Sequence, residues 1–344
     1  MKKTILVTGG GGYIGTHTLV DLIENGYDVI CVDNFSRSHP RMLKHVEQIC
    51  GVSIPLIEID LCQLDAVQQL FEQYSIDGII HFAAFKSVPE SVENPLFYYR
   101  NNIDSLLNLL ACVKKHQISF FVFSSSCSVY GNVTELPVTE SVALSKPESP
   151  YAATKQMGEQ ILRDFSKSDA CNIILLRYFN PVGAHPSALI GELPVGKPNN
   201  LVPVITQTAV GIIDKMYVWG SDYATRDGSG IRDYIHVCDV AHAHTLALDY
   251  LVQKKNSEAL EIFNLGIGEG VSVLEAIHSF EKVSGVKLNY EIGPRRAGDV
   301  EAVYANNDKA KSLLAWSPKY SLDDMMRTAW AWQQGLQGFL GKQD

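Results

Sequence analysis

The segment TILVTGGGGYIGTHTLVDLIENGYDVICVDN, residues 4–34, limits the fold more than any other part of the chain. Ile5 to Val7 is a short β-rich run, a glycine turn follows, and an amphipathic helix extends through about Glu24. Gly26 suits the helix end, and Tyr27 to Val32 reads as a second strand. Gly9, Gly12 and Gly15 form a G-x-x-G-x-x-G pattern directly after the first strand. Without side chains the turn can tighten, a pyrophosphate can approach backbone amides, and the helix can pack close. The helix start adds local positive potential. The spelling departs from the common G-x-G-x-x-G, and four consecutive glycines also suit a merely permissive turn; the flanking strand and helix favour the phosphate reading.

Asp33 ends the second strand, 18 positions beyond Gly15. There a carboxylate accepts hydrogen bonds from an adenosine ribose and repels a 2'-phosphate, which favours NAD over NADP. Arg37 weakens that preference, because it offers a charge to such a phosphate. Asp60, after SIPLIEI, is a candidate acceptor on the adenine side.

Beyond this unit, LKHVEQI reads as helix, SIPLIEID as strand, AVQQLFEQY as helix and DGIIHFAA as strand. NPLFYYRNNIDSLLNLLACVKKHQ reads as one long helix, SFFVFSSS as a buried strand, a further helix begins near Tyr151, and CNIILLRYFN supplies another strand. The alternation predicts an α/β fold with a parallel sheet covered on both faces and ligands at the carboxyl ends of its strands. After about residue 180 proline- and glycine-rich segments dominate, and no second clean βαβ series is visible. We expect a dinucleotide-binding domain over 1–180, completed by part of 230–265, and a mainly substrate-binding region over 181–344.

The chain has 344 residues, 29 Lys plus Arg against 38 Asp plus Glu, and no long basic run, which argues against a nucleic-acid surface. No run approaches the roughly 20 apolar residues of a membrane span, and the glycines at residue 9 come too early for a secretory signal. Seven cysteines, an odd number without CxxC spacing, speak against a disulfide scaffold or zinc cluster. No metal is expected, a cytoplasmic location is, and His17, His81 and His236 read as packing or hydrogen-bonding residues.

Within SPYAATKQMGEQILRDF, Tyr151 and Lys155 stand four apart, on one side of a helix turn. A nearby ammonium favours phenolate, so the tyrosine can act as a base near neutral pH. Ser124, Ser125 and Ser126 follow the apolar run FFVF, where a strand-end serine can meet a nicotinamide. Taken alone, the pair is a polar contact on a solvated helix and the serines satisfy a turn. Beside the glycine turn and Asp33, the set Ser126, Tyr151 and Lys155 points to oxidation of an alcohol, with proton removal as hydride leaves.

The linked segments TGGGGYIG, VDN, IIHFAAFKSV, YYRNN, FSSS-x-x-VYG, PYAATK, LLRYFNPVGAHP, PNNLVP, GIRDYIHV, FNLGIG and GPRRAGD resemble the UDP-glucose 4-epimerases of the extended short-chain dehydrogenase/reductase family. The resemblance runs from residue 7 to residue 320. It implies a Rossmann-type doubly wound sheet with a smaller C-terminal substrate-binding domain, tightly retained NAD, and a homodimer formed through helices near 100–116 and 152–166. It implies that Ser126 and Tyr151 are the hydroxyl-binding and acid/base pair, and that Lys155 binds the nicotinamide ribose. Gly9, Gly12, Tyr13, Ile14, Gly15, Asp33, Asn34, Asp60, Leu61, Lys86, Asn101 and Ser124 match cofactor contacts. Asn180, Asn200, Leu201, Arg232, Arg296 and Asp299 match positions that hold UDP, while Arg295 reads as a surface or structural residue.

The implied reaction is reversible 4-epimerisation of UDP-galactose and UDP-glucose through a 4-keto sugar, with Lys155 and the cofactor's charge depressing the Tyr151 pKa. Val303 matches a position that is large in some members and small in others; its size extends the expected substrates to UDP-GalNAc and UDP-GlcNAc. A nucleotide-sugar 4,6-dehydratase shares the scaffold, but related dehydratases carry an Asp-Glu pair where this chain has Cys127 and Ser128. A noncatalytic nucleotide-sugar or NAD sensor would not require the proton-transfer set.

Overall fold

Runs such as ILV, VICV, FFVF and IILL are apolar at every position instead of alternately, the pattern of strands covered on both faces. The computed structural model describes residues 2–194, 196, 198–295 and 300–341. Chain order begins β1 (Thr4–Thr8), α1 (Tyr13–Glu24), β2 (Asp28–Asp33), α2 (Arg41–Cys50), β3 (Leu56–Glu58), α3 (Leu64–Gln73) and β4 (Gly78–His81). Two short helices, α4 (Val88–Glu93) and α5 (Pro95–Tyr99), lead through a π-helical turn at Arg100–Asp104 into α6 (Ser105–His116). Next come β5 (Phe120–Ser126), α7 (Pro150–Ser168), β6 (Asn172–Tyr178), β7 (Asn180–Val182), α8 (Leu201–Ala209) and β8 (Met216–Trp219). The chain continues with β9 (Ile231–Arg232), β10 (Tyr234–His236), α9 (Val237–Val252), β11 (Leu260–Leu265), β12 (Val271–Ser272) and α10 (Val273–Ser284). Last are β13 (Tyr290–Gly293), β14 (Ala302–Val303), α11 (Asp308–Leu314) and α12 (Leu322–Gly341).

Seven strands form one parallel sheet in the order β11-β6-β5-β4-β1-β2-β3. Chain direction across the sheet reverses between β1 and β4, and the crevice that this leaves beyond their carboxyl ends is the expected ligand position. Leu19 and Leu22 of α1 pack with Val240, Ala247 and Leu248 of α9 in the core over one face. Leu106, Leu109 and Leu110 of α6 join Phe121, Phe123 and Leu162 over the other. Each such buried aliphatic side chain contributes about 1.5–3 kcal/mol. A third core holds α8, α10 and the first half of α12, with Ile205, Ile277, Phe280, Met325 and Met326. The second half of α12 places Trp332, Leu336 and Phe339 in the first core, so this helix joins the C-terminal region to the sheet.

The structure departs from the sequence expectation in specific places. The single long helix is instead α5 and α6 joined by the π turn, which carries Asn102 inward: its Nδ2 donates to the Phe85 carbonyl at 3.0 Å and to Thr154 Oγ1 at 3.0 Å, and its Oδ1 accepts from Phe85 N at 2.8 Å. The strand expected over DGIIHFAA stops at His81. VPESVE forms α4, started by the Ser87 side chain, which accepts from Glu90 N. The pairs β8–β13 and β7–β10 and the small sheet β12-β9-β14 use strands of two to four residues, too short to show a period.

All seven cysteines are unpaired. Among the described residues, no helix is long and apolar enough to cross a membrane.

Candidate active site

Three chain ends converge at the carboxyl edge of the sheet. The glycine turn after β1 is stitched to the end of β2: Gly9 N donates to the Val32 carbonyl at 2.7 Å and Gly11 N to Asp33 Oδ2 at 2.9 Å. Gly9 has φ +68°, and a Cβ there would lie 2.7 Å from Ala83 N. A Cβ on Gly15 would lie 2.3 Å from the Gly9 carbonyl oxygen, so α1 reaches the turn only because residue 15 has no side chain. Gly12 caps α1 without a side-chain acceptor, so the first-turn amides are left for another acceptor. Asp33 Oδ1 accepts from Phe35 N and Ser38 Oγ, both at 2.8 Å. Arg37, the residue that weakened the preference against a 2'-phosphate, is paired with Glu90 and lies over the Phe85 ring.

The second group is set by α7. Ser149 accepts from Ala152 N at 3.2 Å and Pro150 occupies the first turn, which fixes the helix start. Tyr151 and Lys155 follow, one turn apart. Ser126, the last residue of β5, accepts from Ser128 N at 3.2 Å and is near enough to the Tyr151 phenol to lower its pKa. Lys155 is buried, donates to the Ser124 carbonyl at 2.6 Å and lies 4.8 Å from the Phe123 ring centroid. Ser124 Oγ is bonded in turn to the Tyr178 hydroxyl.

The expected depression of the Tyr151 pKa is not what this arrangement produces. Burial pushes the phenol up to about 12, against the lowering influence of Ser126 and with the Cys127 thiol adding to the rise. The Lys155 ammonium is directed at the Ser124 carbonyl, and burial lowers its own pKa to about 8, opposed by the charge of Glu159.

The remaining candidates occupy the rim. Tyr13 donates its hydroxyl to the Gly183 carbonyl at 2.6 Å. Ile14 packs partly buried against the first core, and Leu61 lies within the second. Asn34 accepts from Ser36, Asp60 from Cys62 N at 2.9 Å, and Asn101 donates to Asn102 at 2.9 Å. Lys86 and Asn200 both reach Glu192 Oε1, at 3.1 and 2.9 Å. Asn200 caps α8, whose first residue is Leu201, and Asn180 N donates to the Asp233 carbonyl at 3.0 Å. Arg232 donates to the Ile231 and Val300 carbonyls at 2.8 and 2.9 Å and pairs in register with Val303. Val303 packs with Cys127 against the cluster of Val129, Tyr130, Val138 and Phe179. Arg296 and Asp299 lie outside the described residues. Arg295 bonds Asp222 and stacks on Tyr223, a structural engagement. His81 bonds Thr8 at 2.7 Å, His17 bonds the Tyr13 carbonyl at 2.7 Å, and His236 stacks on Tyr320.

Sequence reasoning missed four residues that hold this edge together: Asn102, Glu159, Glu192 and Asp233. Asp233 is buried and accepts from Ile267 N, Gly268 N and Ala305 N, which gathers the loops around Arg232; burial nonetheless pushes its pKa up to about 6. Their partners are distant in sequence, so no local signal marked them. Among the described residues, no cluster of His, Cys, Asp and Glu could hold a metal ion.

A parallel sheet with a glycine turn at its switch point and a Ser–Tyr–Lys set beside it defines an extended short-chain dehydrogenase/reductase. The GDP-mannose 4,6 dehydratase family model matches residues 6–329. A curated UDP-glucose 4-epimerase from Bacillus subtilis is 46% identical over 96% of this chain and 96% of its own length. The solved UDP-glucose 4-epimerase from Stenotrophomonas maltophila, with bound NAD and formylated UDP-arabinopyranose, superposes with a TM-score of 0.95 at 42% identity, covering 98% of this chain and 99% of that one. The enzyme from Bifidobacterium longum, in complex with NAD+ and UDP, gives 0.92 at 45% identity, covering 96% and 98%. This chain belongs to the UDP-glucose 4-epimerase family.

The tight α1 junction makes a direct prediction. Gly15→Ala should lose about 2–3 kcal/mol of unfolding free energy, because a methyl group is forced against backbone. Gly12→Ala, at ordinary negative φ, should lose less than about 1 kcal/mol. Urea denaturation checks this; equal losses would contradict the packing described.

Proposed function

We propose that the protein interconverts UDP-galactose and UDP-glucose by oxidising and re-reducing the sugar at C4. The observation that carries this reading is the seating of α7 on the end of β5, where Lys155 grips the Ser124 carbonyl at 2.6 Å and Tyr151, one turn earlier, lies near Ser126 at the carboxyl edge that also holds the glycine turn.

The residues present fit a dinucleotide. A side chain would fill the cradle at Gly9 and Gly15, and the start of α1 has no side-chain cap. Gly9, Gly12, Tyr13, Ile14 and Gly15 would border the pyrophosphate, Asp33 and Asn34 the adenosine ribose, and Asp60 and Leu61 the adenine. Lys86, Asn101, Ser124, Tyr151 and Lys155 would border the nicotinamide half. NAD, when bound, supplies the hydride acceptor, a positive charge near the phenol, and in reduced form the returning hydride.

Tyr151 exchanges the proton of the sugar 4-hydroxyl, and Ser126 orients that hydroxyl by sharing its hydrogen bond. A phenol pushed up by burial needs added positive charge to act as a base at neutral pH, and Lys155 supplies part of it from the same helix face. Asn180, Asn200, Leu201 and Arg232 would hold UDP, with Arg296 and Asp299 assigned to the same task by family resemblance. Strong anchoring through UDP leaves the sugar free to present either face, and tight retention of NAD follows from its double use.

Dehydration is the poorer reading. It needs acid and base groups for the C5 proton and the 6-hydroxyl, and the positions after Ser126 hold Cys127, whose thiol is pushed up to about 12 by burial, and Ser128. Neither substitutes for a carboxylate.

A homodimer is supported by exposed apolar side chains on adjoining helices: Leu96 and Phe97 on α5, Leu107 on α6 and Met157 on α7, with Leu96 75% exposed. Val303 supports acceptance of a 2-N-acetyl group, because its side chain is small and packs against the same cluster as Cys127, the residue after Ser126.

Three outcomes are expected. Purified protein should convert UDP-galactose to UDP-glucose without added NAD, and Tyr151→Phe should slow this about 10²–10⁴-fold while UDP affinity, measured by calorimetry, changes less than about twofold; equal turnover would defeat the assignment. UDP-GalNAc should also be converted, and Val303→Tyr should abolish that activity while sparing UDP-galactose; a wild-type protein inert toward the acetylated sugar at saturation refutes the extension. Sedimentation velocity should give a dimer, dissociated by Leu96→Asp, and a wild-type monomer at micromolar concentration would refute it.

A further inference from the structure

Glu159 lies one helical turn beyond Lys155 on α7 and is 1% exposed. Its Oε1 accepts from Ser125 Oγ at 2.6 Å and from Arg177 Nε at 2.8 Å, while its Oε2 accepts from Arg177 Nη2 at 2.5 Å. Arg177, on β6, is equally buried and donates Nη1 to the Tyr130 phenol at 3.0 Å. Tyr130 donates onward to Asn264 Oδ1 on β11 at 2.6 Å. One carboxylate thus ties α7 to β5 and β6 and, through Tyr130, to β11. Two adjacent residues of β5 are grasped from the same helix: the Ser124 carbonyl by Lys155 and the Ser125 hydroxyl by Glu159.

The groups around Lys155 can be named element by element. Tyr151 and Glu159 stand one turn before and after it on α7, Glu159 raising its pKa, with Arg163 3.8 Å from Glu159. The Ser124 carbonyl and the Phe123 ring face it from β5. His81, on β4, is kept neutral by burial. On β6 stand Tyr178, bonded to Ser124, and Arg177, bonded to Glu159. Of these, Glu159 is the carboxylate. Were it removed, Lys155 and Arg177 would remain as two like charges in one poorly solvated wall.

We propose that Glu159 is a positioning residue: it seats α7 on the end of β5 and holds Lys155 in its cationic form. For its consequence in turnover, the inference rests on the epimerase reading; for the state of Lys155 it does not. The arrangement explains why an ion pair is buried behind the site at all. A hydrophobic replacement of the pair could match its stability, but it would leave Lys155 without an opposing charge.

The test is a titration of the whole protein, labelled with ¹⁵N at the lysine Nζ atoms and followed by NMR, with Lys155→Met supplying the assignment. Glu159→Gln should lower the Lys155 midpoint by about one unit, a tenfold change in proton affinity. Arg177→Met should move it upward, because the carboxylate then faces Lys155 alone. The double variant Glu159→Gln with Arg177→Met leaves no unpaired buried charge and should fold, with a Lys155 midpoint above that of Glu159→Gln but still below wild type, which keeps the test open if one single variant fails to fold; a wild-type midpoint in the double variant would count against the proposal. An unchanged Lys155 midpoint in folded Glu159→Gln, or shifts of the same sign in both single variants, would overturn the proposal. In the wild type and Glu159→Gln, the alkaline limb of UDP-galactose turnover should move with the midpoint. A shifted midpoint in proteins that never turn over UDP-galactose would support the role of Glu159 while sinking the epimerase reading.

Discussion

The hydrogen bond from the Lys155 ammonium to the Ser124 carbonyl, 2.6 Å long and buried, is the contact on which the geometry of the site depends. It holds α7 against the end of β5, and Tyr151, four residues earlier, is thereby brought to Ser126. The same bond explains the electrostatics. The Lys155 ammonium is spent on the backbone, so burial is left as the largest influence on Tyr151. A phenol held neutral in the resting protein and a lysine poised near pH 8 form a pair whose basicity waits for further positive charge. Glu159 stabilises the cationic member of that pair, and the buried network through Arg177, Tyr130 and Asn264 makes the support rigid.

Much of this was legible in the sequence because it is local. Doubly buried strands read as continuous apolar runs, the helix after the glycines begins where the turn needs it to, and Tyr151 and Lys155 share a face because of helical periodicity. The end of β2 at Asp33 was likewise readable, although which groups satisfy its carboxylate was not. What could not be read was carried by long-range pairs. Glu159 and Arg177 are 18 residues apart and sit on different elements, and Asp233 serves amides 34, 35 and 72 residues away. The π turn at Arg100–Asp104 followed an ordinary helical pattern, and its departure arises from burying the Asn102 side chain between Phe85 and Thr154. The weight of burial at Tyr151 could not be read either, because a sequence reveals the neighbouring ammonium but not the extent of desolvation.

The family spans more than one reaction that begins by oxidising a nucleotide sugar, and the residues beside the strand end decide between them. In the proposed mechanism Ser126 and Tyr151 provide proton exchange at one hydroxyl. Burial keeps the Cys127 thiol un-ionised among apolar neighbours, and Asp233, the carboxylate that adds to this, is occupied by three backbone amides. Chemistry at C5 and C6 therefore lacks a dedicated acid and base, which leaves hydride removal and return at one carbon as the reaction this edge of the sheet supports.

That claim is tested most directly with UDP-galactose carrying deuterium at C4, incubated with the purified protein and no added cofactor, and analysed by NMR of the products. The account predicts UDP-glucose that retains the deuterium at C4. Deuterium lost to solvent, or a 6-deoxy-4-keto sugar in place of UDP-glucose, would contradict it.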